Sequence, residues 1–133
     1  VGVTGFCMGG ALTFGAAAKG ADVACIAPFY GIPDPKYFDT TAIKIPVQAH
    51  FGQLDALAGF SDPETAQANF QKMKDAGCDI ELCMYESGGH GFMNFGVAGG
   101  EEKLKLIGAA IPTQDDVDLA WKRLVAFFNQ NLS

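Results

Sequence analysis

Charge is scarce in this chain, and positive charge scarcest: nine Lys and Arg stand against fifteen Asp and Glu, for a formal net charge of −6. No Lys/Arg cluster is present to meet a phosphate backbone or an anionic lipid surface, which argues against nucleic acid and membrane as partners. No apolar run approaches a membrane span, and no signal-peptide pattern appears. The four cysteines, Cys7, Cys25, Cys78 and Cys83, lack C-x-x-C spacing and an extracellular setting, so reduced thiols in a cytoplasmic protein are expected. A zinc site could be assembled from Cys78, Cys83 and His90, but Cys83 falls inside a strand pattern, so no metal is expected. Apolar material, by contrast, is plentiful: 49% of the 133 residues are hydrophobic, enough to build the core of a single domain over residues 1–133.

The pattern of that material is α/β. Val1–Phe6 reads as a buried strand, followed by an Ala-rich helix from Met8 to Lys19 that Gly20 stops in the left-handed conformation. Val23–Pro28 and Ile45–Gly52 are short apolar runs without alternation, as strands covered on both faces of a parallel sheet show. Between them, Phe29–Lys44 is rich in turn formers and reads as a loop. Ser61-Asp62-Pro63-Glu64 opens a second helix with a capping residue, Pro at the first position and Glu in the first turn; the helix extends to Ala76, with Ala66, Phe70 and Met73 on its packed stripe. In Asp79–Glu86, Ile80, Leu82 and Met84 alternate with Glu81, Cys83 and Tyr85, as at a sheet edge. A short helix is expected around Glu101–Ile107. A final one starts from the capping box Thr113-Gln114-Asp115-Asp116 and packs through Val117, Ala120, Trp121, Leu124 and Phe128.

The chemistry gathers where the strands end. Gly5-x-Cys7-x-Gly9 is the Cys form of a nucleophile elbow, a strained strand-to-helix turn that exposes the nucleophile above the sheet. Small residues two before and two after Cys7 fit a junction with no room for a Cβ. The helix N-terminus favours a thiolate, and the Met8 N–H points where an oxyanion would form. The same letters also spell Thr4-Gly5-x-x-x-Gly9-Gly10, near a dinucleotide-binding glycine pattern. That reading lacks the acidic residue at the end of the next strand, which closes in Pro28-Phe29, and no Tyr is followed four residues on by Lys. A structural turn with a buried thiol is the plainest alternative.

Asp55 follows the third strand and His90 the fourth, where glycines on both sides of the imidazole allow a tight loop. His50, inside a strand, reads as a packed core residue. Cys7, Asp55, His90 is the chain order nucleophile, acid, His of the α/β-hydrolase triad. In that arrangement His90 is the base, Asp55 fixes its tautomer, and the Met8 N–H holds the oxyanion of an acyl-transfer intermediate that water then resolves.

The stretches Gly5-Phe6-Cys7-Met8-Gly9-Gly10-Ala11-Leu12-Thr13-Phe14, Phe29-Tyr30-Gly31, Gly52-Gln53-Leu54-Asp55 and Gly89-His90-Gly91-Phe92 together resemble the dienelactone hydrolase (carboxymethylenebutenolidase-like) family across essentially the whole chain. The resemblance implies an α/β-hydrolase-type, mostly parallel sheet flanked by helices. It also implies cofactor-free cleavage of a small lactone or ester, the triad Cys7, Asp55 and His90, and substrate contacts from Tyr30, Phe92 and Asn94.

Two departures qualify the expectation. Where the family places an Arg shortly after the catalytic His, this chain reads Phe92-Met93-Asn94, which puts an anionic substrate in doubt. The resemblance begins at the elbow strand, without the earlier strands and the loop that carries a second oxyanion donor. A C-terminal portion of a longer enzyme is therefore expected, weakly active or inactive by itself unless another chain covers the open edge. A hydrolase-like module used for binding or assembly is the alternative, and an oxidoreductase a distant third.

Overall fold

Four parallel strands in the order β1-β2-β3-β4 form the sheet of the computed structural model, which describes residues 1–133. They are β1 (Gly2–Phe6), β2 (Cys25–Phe29), β3 (Val47–Gly52) and β4 (Ile80–Tyr85). Helix α1 (Met8–Ala18) joins β1 to β2, and α2 (Pro63–Asp75) joins β3 to β4. Parallel neighbours need such crossovers, and right-handed ones running in one direction place both helices on the same face. Beyond β4 come α3 (Gly100–Leu106) and α4 (Gln114–Asn131), and α4 packs against β2 and β3.

β2 and β3 are buried at every position, which is why their sequences run apolar without alternation. Helix α2 starts where Asp62 accepts from the Thr65 N–H and Pro63 occupies the first position; Gly77, in the left-handed conformation at φ 85°, follows its end. Helix α4 starts at Thr113, whose Oγ1 accepts from the Asp116 N–H at 3.2 Å. The reciprocal half of the expected capping box is not made. The Asp116 carboxylate accepts instead from the backbone N–H and hydroxyl of Ser87, while the Thr113 N–H donates to Ser87 Oγ at 2.9 Å, so the loop after β4 is tied to the start of α4.

Three expectations about packing change. On α4 the deep stripe is Val117, Ala120, Leu124 and Phe127, whereas Trp121 is 44% exposed and Phe128 half-buried. On β4 Cys83 and Tyr85 are buried and Leu82 and Met84 half-buried, because the face shared with Gln48 and His50 also carries packing. A short 3-10 turn, Phe92–Gly96, forms where no element was expected.

β1 has a strand neighbour on one side only, and none of its residues is fully buried. Phe128 of α4 and Leu132, just past its end, come close to Gly2, and apolar side chains stand exposed on the helices, Met8 and Leu12 on α1 and Trp121 and Val125 on α4.

Candidate active site

The elbow is where the backbone is bent hardest. Cys7 sits at φ 58° and ψ −120°, a conformation that costs a non-glycine residue of order 1–3 kcal/mol. It persists because the junction is pinned: the Cys7 N–H donates to the Phe29 carbonyl at 3.1 Å, and the Cys7 carbonyl accepts from Gly10 and Ala11 at 3.0 and 3.2 Å. A Cβ on Gly5 would stand 2.2 Å from the Gly9 carbonyl oxygen, so strand and helix touch there backbone to backbone. Gly9 differs from expectation, since a Cβ on it would meet nothing within 4 Å. Its backbone, not its missing side chain, closes the junction. Met8 is the first residue of α1, so its N–H has no intrahelical acceptor.

Two loops bring the other groups to this turn. After β3 the chain folds back through Asp55, which is buried at 4% exposure and whose Oδ1 accepts from the Leu57 N–H at 3.0 Å. After β4 the segment Ser87–Gly91 carries His90 over the sheet, with Gly91 at φ 74°. His90 Nε2 lies 3.1 Å from Cys7 Sγ, and Nδ1 lies 3.0 Å from Asp55 Oδ2. An ionised carboxylate only accepts, so the ring proton sits on Nδ1 and Nε2 is left to accept from the thiol. Three side chains 83 positions apart at their extremes are thus within one hydrogen-bonded line.

Tyr30, Phe92 and Asn94, the expected substrate contacts, all lie near this line. Tyr30 is buried, at φ 34°, with its ring edge-on to His90 at 5.2 Å. Burial first, then the nearness of Cys7 and Asp55, pushes its phenol well above the ordinary range, so it stays protonated. Phe92 is fully buried against Tyr30 and Tyr85. Tyr30 stands against the imidazole and Phe92 packs behind Tyr30, because aromatics beside a buried rim gain more from packing than from standing open. Asn94 donates from Nδ2 to the Gly91 carbonyl at 2.9 Å and so stabilises the His90 turn.

The sequence marks Ser61 only as part of a helix start. Asp62 does the capping, and the Ser61 hydroxyl, with no exposed surface, lies 3.1 Å from His90 Nδ1. The signal available in the sequence was an Asp-Pro start already complete without the preceding Ser.

The remaining thiols are elsewhere. Burial raises the Cys25 and Cys78 thiols, and burial together with Glu81 pushes Cys83 up to about 12. Cys78 Sγ faces the carbonyls of Thr40 and Thr41, and Cys83 Sγ faces Glu81, so neither joins His90. No three His, Cys, Asp or Glu side chains come together in a metal-holding group.

A sharp strand-to-helix turn carrying Cys7 at the C-terminal end of a parallel strand, with Asp55 and His90 on the loops after later strands, fits an α/β-hydrolase-type fold. Residues 1–132 match the dienelactone hydrolase family, and the chain belongs to that family. It is 31% identical over 134 residues to Protein usf of Aquifex pyrophilus, covering 100% of this chain and 52% of that protein. It is 30% identical over 95 residues to a carboxymethylenebutenolidase-like protein of Aquifex aeolicus, covering 71% of this chain and 40% of that one. Among solved structures, a dienelactone hydrolase-like promiscuous phosphotriesterase from metagenomic libraries superposes with a TM-score of 0.79 at 22% identity, over 98% of this chain and 52% of that one. The chain spans about half the length of the relatives it matches. No helix is long and apolar enough to cross a membrane.

Proposed function

We propose that this chain carries the nucleophile, base and acid of a cysteine-dependent hydrolase for small lactones or esters, working through an acyl-enzyme. The observation that supports it is the relay itself, Asp55 Oδ2 at 3.0 Å and Cys7 Sγ at 3.1 Å on opposite nitrogens of one imidazole. An ordinary thiol is mostly protonated at neutral pH, so attack starts when Nε2 takes the Cys7 proton. The Sγ–C bond forms, the carbonyl oxygen takes the displaced electron pair, and the Met8 N–H faces the oxyanion. Collapse breaks the C–O bond, and the leaving alkoxide recovers the proton from Nε2; with a lactone that alcohol stays tethered to the acyl group. Water, deprotonated by His90, then attacks the thioester, and the departing thiolate regains its proton as the acid is released.

The substrate side of the reading is a neutral, apolar molecule. A cleft of about 520 Å³ begins beside the elbow, lined by Met8, Ala11, Leu12, Ile32 and Phe60 among others, and its one charged lining residue is Asp34. That volume suits a small ligand, and a lone carboxylate disfavours an anion. Neutral aryl esters and lactones should turn over ahead of their carboxylated analogues, and Cys7→Ala should abolish both turnover and the acyl adduct seen by intact mass. Turnover undiminished in Cys7→Ala would overturn the reading.

The second reading, a binding or assembly module of weak activity, draws on β1, which has a strand neighbour on one side only, and on the exposed apolar side chains of α1 and α4. On the proposal favoured here that edge receives further strands of the fold, from the same or another chain, along with a second oxyanion donor. A cytoplasmic setting belongs to the same proposal, in keeping with four free thiols. Nucleic acid and membrane are not among the proposed partners.

A further inference from the structure

Two oxygens face one nitrogen of His90. Asp55 Oδ2 lies 3.0 Å and Ser61 Oγ 3.1 Å from Nδ1, and Ser61 has no exposed surface. Both residues come from the segment between β3 and α2, which is wound around Leu57. The Leu57 N–H donates to Asp55 Oδ1 at 3.0 Å, and its carbonyl accepts from Phe60, Ser61 and Asp62 at 3.2, 3.0 and 3.2 Å. Asp62 caps α2, so the Ser61 hydroxyl is free of that task, and the ring nitrogen is its hydrogen-bond partner.

The direction of that bond follows from donor and acceptor chemistry. Asp55 keeps the proton on Nδ1, so the hydroxyl cannot donate there and its oxygen must accept. The titratable groups facing the ring are Cys7 from the elbow, Asp55 from the β3–α2 segment and Tyr30 from the end of β2. Only one of these, the Asp55 carboxylate, supplies negative charge to Nδ1; the hydroxyl oxygen adds a second, neutral acceptor at the same atom.

We infer that Ser61 is a positioning residue: it forks the Nδ1–H bond with Asp55, aims Nε2 at Cys7, and steadies the imidazolium that forms when the thiol gives up its proton. The inference rests on the triad proposed above. It carries a consequence that packing alone would not. Without the carboxylate the hydroxyl can donate to Nδ1, which moves the ring proton to Nε2 and points a donor, not an acceptor, at the sulfur. The contribution of Ser61 should therefore depend on Asp55.

The test is the rate at which iodoacetamide alkylates Cys7 in the full chain, read at pH 6.5 and pH 9. Ser61→Ala should slow alkylation at least about tenfold at pH 6.5, the scale of one hydrogen bond to a charged group. It should leave the rate at pH 9 unchanged, where a thiol ionises unaided. Ser61→Thr, which keeps the hydroxyl, should recover the loss, and in an Asp55→Ala background Ser61→Ala should no longer slow the reaction. The His90 Nδ1–H resonance should move upfield in Ser61→Ala, a signature readable whatever the alkylation rate. An unchanged ratio of the two rates with an unmoved resonance, or equal slowing at both pH values, would overturn the role. His90→Gln separates the two ideas: if it alters the ratio and Ser61→Ala does not, Ser61 alone is misassigned; if neither does, the triad falls and this inference with it.

Discussion

His50 and His90 carry the same imidazole at two depths of one sheet, and their surroundings make different chemical groups of them. His50 lies in β3 with no exposed surface, its ring stacked on Phe29 at 4.3 Å between centroids. Its Nε2–H donates to Gln48 Oε1 at 3.0 Å, and Tyr85 O–H donates to its Nδ1 at 2.8 Å. Gln48 is oriented by its own Nε2 donating to Glu81, so both nitrogens of His50 are satisfied by neutral partners in one tautomer. Burial, with Arg123 nearby, lowers its pKa to about 3. His90 stands at the C-terminal rim with 16% of its side chain exposed, held between a carboxylate and a thiol. The interior spends an imidazole on cohesion, whereas the rim leaves one nitrogen for a group that can react. The thiols divide in the same way, with Cys25, Cys78 and Cys83 raised by burial and Cys7 half-exposed on the strained turn.

That division can be broken most sharply at the rim. His90→Gln should cut ester hydrolysis by about a thousandfold or more with little change in thermal midpoint, a pairing visible by assay and calorimetry side by side. At the elbow, Gly5→Ala should cost upwards of about 3 kcal/mol, because its Cβ would meet a backbone oxygen at 2.2 Å that cannot move aside. Gly9→Ala, which meets nothing, should stay within about 0.5 kcal/mol in denaturant titration.

In the interior, His50→Leu should destabilise by about 3 kcal/mol, since it takes the acceptor from the buried Tyr85 O–H and the donor from Gln48 Oε1, while the alkylation rate of Cys7 in the folded chain is kept. The same site fixes an acid response. His50 is neutral when folded and regains an ordinary imidazole when unfolded, so the unfolded state binds the extra proton between about pH 6.5 and about 3. Stability should fall as pH drops through that window, by up to roughly 1.4 kcal/mol per unit, and His50→Leu should flatten the slope. A smaller loss is expected at Thr113→Ala, about 1 kcal/mol for the lost cap on α4.

Much of this contrast can be read before folding is known. Unbroken apolar runs mark β2 and β3, Asp62-Pro63 marks the start of α2, and the chain order of Cys7, Asp55 and His90 follows strand ends because a parallel sheet puts all those ends on one rim. What escapes is depth. Trp121 and Phe127 lie on neighbouring helical stripes of α4, and only the position of the sheet decides which is buried. Tyr30 and Phe92 flank the site in sequence, yet Tyr30 stands against the ring and Phe92 behind Tyr30 because their apolar area finds cover there. Asn94 and Ser61 belong to local hydrogen-bond geometry that residue spacing does not encode, one caught by the Gly91 carbonyl and the other by a ring nitrogen 29 positions away. The 3-10 turn after Gly91 follows from that same left-handed glycine.

The central claim is that a rim imidazole arms one sulfur among four. Peptide-resolved alkylation at neutral pH, with limiting iodoacetamide, reads all four cysteines of the native chain at once. Cys7 should be labelled at least about tenfold faster than Cys25, Cys78 or Cys83, and His90→Gln should erase most of that lead. Labelling of Cys7 no faster than Cys78, or a lead that survives His90→Gln intact, would contradict the account.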